Sequence, residues 1–103
     1  MMNRTDLAAA LQQKPIVLLD FYAGWCAPCK ILAPTLDLLV QELNFELIKI
    51  DIDESRELPV DYAVTSIPHL VFIKDGIKVW EQKGFLPLPR LKAKLMELGV
   101  GLR

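Results

Sequence analysis

Apolar residues recur in two rhythms along this chain, continuous runs and helical spacings, and their alternation predicts the order of elements. Thr5 is placed as an N-cap before Asp6-Leu7-Ala8-Ala9-Ala10-Leu11, a short helix that Pro15 stops. Ile16 to Tyr22 is apolar at every position but Asp20, as a central strand buried on both faces is. From Ala27 to about Leu43, residues Ile31, Leu32, Leu36, Leu38, Leu39 and Leu43 fall near helical spacing, interrupted by Pro34, which is expected to kink the helix.

Phe45 to Ile52 reads as a second buried strand, and a short helix from about Glu57 to Tyr62 is expected to return the chain for a parallel pairing. After Pro68 the pattern changes to two β-rich runs, His69 to Lys74 and Ile77 to Lys83, joined by Asp75-Gly76, a strong hairpin signal. A last helix is expected from about Leu88 to Leu98, entered through Pro87 and Pro89 and ended by Gly99. This order predicts an α/β fold with a mixed four-stranded sheet and helices on both faces. A site would then lie at the C-terminal end of the first central strand. With neither repeats nor linker-like segments, residues 1–103 read as a single domain.

Composition adds exclusions. With 52% hydrophobic residues the chain can bury a core without covalent staples. Twelve basic and thirteen acidic side chains, with no two Lys or Arg adjacent, leave no electrostatic footprint for nucleic acid or an anionic membrane. The longest apolar runs, such as Leu7 to Leu11, are far too short for a membrane span or signal core, so a cytoplasmic protein is expected. Two cysteines do not make a disulfide framework in such a chain, which points to chemistry rather than stapling.

Those cysteines, Cys26 and Cys29, stand at the predicted start of the second helix. A helix N-terminus lowers the pKa of a thiol placed there, and the thiolate is the nucleophile toward disulfides. Cys29, one turn on, can close a small ring with Cys26, so the spacing makes a reversible dithiol/disulfide switch. Attack by Cys26 on a substrate disulfide, then displacement by Cys29, would require a base for the second thiol. Asp20 is the candidate, since a carboxylate inside an apolar strand is desolvated and its pKa raised. Zinc, c-type haem and iron–sulfur readings of the pair lack partners: His69 is the only histidine, and residue 30 is Lys. No cofactor or metal is expected.

The stretch from Asp20 to Lys30, DFYAGWCAPCK, with Leu32-Ala33-Pro34 after it, resembles the thioredoxin family. The likeness continues through Lys49-Ile50-Asp51-Ile52-Asp53, Tyr62 to Pro68, Phe72 to Gly76 and Gly84, covering nearly all of residues 16–98. It implies the thioredoxin fold, a protein-disulfide reductase acting on disulfide-containing proteins, and an NADPH-dependent thioredoxin reductase that recharges the dithiol. It also implies a cis Ile67-Pro68 bond set against the cysteines, with Trp25, Ala27, Pro28, Ile67, Pro68, Gly84 and Phe85 forming a docking surface for an extended substrate segment. Lys49 falls where the family has a lysine near the buried Asp; such a pair would oppose the desolvation of Asp20 and leave the net direction open.

Departures from the family pattern bear on tuning. The N-terminal segment is short, so the family's usual first strand is expected to be absent. Ala27 stands for the commoner Gly, Tyr22 for Trp, and His69 for Thr. An imidazolium near Cys26 would favour the thiolate, and His69→Thr is then expected to make the reduction potential more negative. A monomer is expected. Two further uses of this framework fit the residues: a partner-specific oxidant or isomerase, and a non-catalytic binding subunit or chaperone using the same surface.

Overall fold

The computed structural model describes residues 2–103 and contains eight elements. They are α1 (Arg4–Gln13), β1 (Ile16–Tyr22), α2 (Ala27–Glu42), β2 (Glu46–Asp51), α3 (Glu57–Asp61), β3 (His69–Lys74), β4 (Ile77–Lys83) and α4 (Leu88–Glu97). The four strands form one mixed sheet in the order β2-β1-β3-β4. No fifth strand pairs with it among the described residues.

β1 and β3 are the two interior strands, and both carry apolar side chains on both sides of the backbone. Val17, Leu19 and Phe21 pack with Leu7 of α1 and Leu58 of α3, whereas Leu18 packs with Leu32, Leu36 and Leu39 of α2 and Leu91 and Leu95 of α4. Alternation along the strand thus places Asp20 on the face covered by α2 and α4. Burying a leucine of this kind contributes roughly 1.5–3 kcal/mol, so the two apolar layers fix β1 and its Asp20 firmly.

Several expectations are corrected. Asn3, not Thr5, caps α1: its side chain accepts from the Asp6 N–H at 2.8 Å while Asp6 accepts from the Asn3 N–H at 3.4 Å, a reciprocal box. The parallel pair is β1 with β2, connected by α2; β3, reached through α3, runs antiparallel to β1. β2 is an edge strand in which only Ile48 and Ile50 are buried. In α2, Ile31 and Leu38 face solvent, and the buried stripe is Cys29, Leu32, Leu36 and Leu39. Pro34 lies inside that helix, which continues through it to Glu42.

The hairpin forms where expected, with Asp75 (φ 53°) and Gly76 (φ 82°) both left-handed, as a tight turn between twisted strands requires. Gly99 (φ 98°) ends α4, its N–H bonded to Met96 O and that of Val100 to Leu95 O. Beyond it the chain turns back onto the end of α2. The Arg103 N–H reaches Glu42 O, and its guanidinium donates to Val40 O at 2.7 Å and Phe45 O at 2.9 Å. Carbonyls that a helix end leaves without partners are satisfied this way.

Candidate active site

The end of β1 and the start of α2 bring the chemistry together. After Tyr22 the chain turns through Ala23 and Gly24, and the Cys26 N–H bonds back to Ala23 O at 3.2 Å. Cys26 is the N-cap of α2: its backbone is extended, its carbonyl accepts the first helical bond from Lys30, and its Sγ accepts from the Cys29 N–H at 3.2 Å. Pro28 near the first helical position suits this start, because it has no N–H to leave unpaired. Cys26 and Cys29 form a disulfide, with Cα atoms 5.3 Å apart. Both are nearly buried, at 4% and 6% exposure, whereas Trp25, Ala27 and Pro28 beside them are exposed.

Asp20 lies behind the pair, 4% exposed, with Oδ1 lacking a hydrogen-bond partner among the described residues. A pocket of about 190 Å³ joins it to Cys29, its other lining residues including Tyr22, Lys30, Ala33 and Lys49. Burial pushes the carboxyl up from 3.8 to about 6, with Lys49 lowering and Asp37 raising it. The direction left open by the sequence is therefore decided by desolvation. Lys49 is the Cα partner of Asp20 across β1 and β2, yet its ammonium pairs with Asp37 Oδ1 at 3.4 Å.

On the other side of the cysteines, the Ile67-Pro68 bond is cis. Ile67 packs against the cluster of Ala23, Cys26 and Cys29. Pro68 O accepts from the Gly84 N–H at 2.8 Å, which ties the end of β4 to this loop. Gly84 adopts φ 88°, a conformation that glycine takes without a Cβ penalty. Phe85 is exposed at 44%.

His69 is the exception. Its imidazole is fully buried, Nε2 lies 2.8 Å from Glu81 Oε1, and its ring meets Phe21 edge-on at 6.2 Å. It therefore shares the sheet face covered by α1 and α3, the face opposite Asp20, because side chains of β3 alternate. The neighbours that fix the ring are thus Glu81 and Phe21.

Two residues escaped sequence reasoning. Asp53 accepts from Trp25 Nε1 at 2.8 Å and is itself fixed by its N–H bonding to Asp51 Oδ1 at 2.9 Å. Asp37 holds Lys49. Asp53 falls within the stretch that resembles the family, but no sequence signal gives it or Asp37 a partner; only the fold brings each to its partner.

A dithiol/disulfide pair at a helix N-cap, backed by a buried carboxyl and faced by a cis-proline loop, defines a thiol-disulfide oxidoreductase. The thioredoxin family model matches residues 1–97. Over 94 residues the chain is 36% identical to a thioredoxin of Mycoplasmoides gallisepticum, covering 90% of this chain and 94% of that protein. Over 79 residues it is 46% identical to a thioredoxin of Bacillus subtilis, covering 75% and 76%. A mutant thioredoxin from Halobacterium salinarum superimposes with a TM-score of 0.87 at 35% identity, covering 91% of this chain and 83% of that one. The chain belongs to the thioredoxin family. No helix among the described residues is long and apolar enough to cross a membrane.

Proposed function

We propose that the protein is a general protein-disulfide reductase, acting as a cytoplasmic single-domain monomer and recharged by an NADPH-dependent thioredoxin reductase. The observation that carries this reading is the pocket shared by Cys29 and Asp20 behind a cysteine that caps a helix.

In the reduced protein, the Cys26 thiolate is stabilised by the helix N-terminus and by the Cys29 N–H that its sulfur accepts. It attacks one sulfur of the substrate disulfide; a Cys26–substrate bond forms, the substrate S–S bond breaks, and the second substrate sulfur leaves as thiolate. Cys29 then gives its proton across the pocket to the Asp20 carboxylate and attacks Cys26 Sγ. The Cys26–Cys29 disulfide forms, the mixed disulfide breaks, and the substrate departs with both sulfurs reduced. A pocket of this size has room for a relaying water, and Asp20 Oδ1, which has no hydrogen-bond partner among the described residues, offers it an acceptor. With its pKa near 6, Asp20 is mostly ionised at neutral pH and still basic enough to take the proton.

Trp25, Ala27, Pro28, Ile67, Pro68, Gly84 and Phe85 supply the docking surface, on which backbone pairing beside Ile67 accepts many substrate sequences. The test is turnover of insulin disulfides with NADPH and a thioredoxin reductase. Sustained turnover supports the reading. Activity with dithiothreitol but not with the reductase refutes the donor, and activity with neither refutes the reductase assignment.

A further inference from the structure

Cys29, Ala33 and Asp37 follow one another at four-residue spacing along α2, and residues so spaced share one side of a helix. That side faces the Asp20 pocket: Cys29 and Ala33 line it, and Asp37 reaches Lys49 at its outer end. Lys49 is a register partner of Asp20 and lines the same pocket, so its flexible stem can carry the ammonium inward to Asp20 or outward to Asp37. The structure shows the outward arrangement, Nζ to Asp37 Oδ1 at 3.4 Å, and no hydrogen bond between Lys49 and Asp20.

We propose that Asp37 is a positioning residue for the resolving half-reaction: it holds the Lys49 ammonium at the mouth of the pocket, so that Asp20 keeps its affinity for the Cys29 proton. Both groups are partly exposed, at 61% for Asp37 and 39% for Lys49, and such a pair contributes little to stability. Its effect lies in where it places a charge. An ammonium paired directly with Asp20 would favour the anion and make it a weaker base. The charge of Asp37 itself acts in the same direction as the tether, since it disfavours a second carboxylate nearby. The remaining ionisable groups facing Asp20 are Tyr22 from β1 and Lys30 and Cys29 from α2, while β3 presents Leu70 as its register partner.

This inference rests on the reading of Asp20 as the proton acceptor, and its test is kept separate from that reading. Carboxyl carbon NMR of the oxidised protein follows the Asp20 titration directly, whether or not the residue takes part in turnover. Asp37→Asn is expected to move the Asp20 midpoint below the wild-type value, Asp37→Glu to restore it, and Lys49→Gln to raise it. The effect of Asp37→Asn should shrink in the Lys49→Gln background, because the tether then has nothing to hold. An Asp20 midpoint unmoved by Asp37→Asn overturns the inference, as does a shift of equal size with and without Lys49. The decay of a Cys26 mixed disulfide in protein that retains Cys29, followed after rapid mixing, should show its acid limb displaced to lower pH in Asp37→Asn, with the denaturation midpoint of the protein unchanged. If Asp20→Asn leaves that decay and its pH dependence intact, the proton-acceptor reading fails, irrespective of the NMR result.

Discussion

Replacing Asp20 by Asn should stabilise the oxidised protein, and by an amount that depends on pH. The carboxyl is buried, and its pKa rises from 3.8 to about 6, chiefly through desolvation. A folded-state value above the unfolded one means that the fold binds this proton more tightly. The favourable contribution is therefore complete below pH 3.8 and is lost as the pH rises through about 6. Above that window the ionised carboxylate costs the fold about 3 kcal/mol, at ~1.4 kcal/mol per pH unit. An Asn side chain removes the charge at nearly constant shape but leaves a buried amide in the same apolar setting, at a cost of ~1 kcal/mol or more. A net gain of ~1–2 kcal/mol is expected at pH 8, shrinking to nothing or reversing at pH 3.5. Denaturant unfolding of both oxidised proteins at the two pH values measures it, with equal slopes required for the comparison. A destabilised Asn variant at pH 8, or a gain that does not change with pH, would show that Asp20 is not held as a desolvated anion. The same variant should turn over insulin more slowly if the group that burdens the fold is the proton acceptor proposed for the resolving step.

Other substitutions separate docking, packing and anchoring. Asp53→Ala removes the acceptor of Trp25 Nε1 and should lower kcat/KM for protein disulfides by ~3- to 10-fold, the worth of one hydrogen bond, without altering the unfolding midpoint. His69→Thr should leave the reduction potential in a glutathione titration unchanged, because the imidazole is engaged by Glu81 and Phe21, while costing ~1–3 kcal/mol in denaturant unfolding from lost packing against Phe21 and the broken contact to Glu81. Arg103→Ala exposes Val40 O and Phe45 O and should lower stability by ~1–2 kcal/mol with turnover intact.

Local signals placed most of the elements. β1, β3 and β4 coincide with their β-rich runs because Pro15, Pro68 and Asp75-Gly76 punctuate them, and α4 is bounded by Pro87 and Gly99. Residues whose role depends on an adjacent covalent partner, Cys26 and Cys29 above all, were equally legible. Pairwise, long-range facts were not. The direction of β3 against β1, the edge position of β2 and the face on which His69 lies depend on how strands assemble, which a local pattern does not encode. The Trp25 to Asp53 bond spans 28 positions, and Lys49 to Asp37 spans twelve, from strand to helix. The net shift of Asp20 required a balance of burial against charge that only the folded geometry supplies. At the start of α1 the reason is simpler: Thr5 and Asn3 are both competent caps, and the Asp6 partner selects Asn3.

The two cysteines are expected to divide the reaction between them, Cys26 attacking and Cys29 resolving. Intact-protein mass spectrometry of Cys29→Ser and Cys26→Ser, after each reduced variant meets a disulfide-containing protein under non-reducing conditions, measures this directly. A stable one-to-one adduct through Cys26 is expected in Cys29→Ser and none in Cys26→Ser. Trapping through Cys29 instead, or no adduct with either variant, would contradict it.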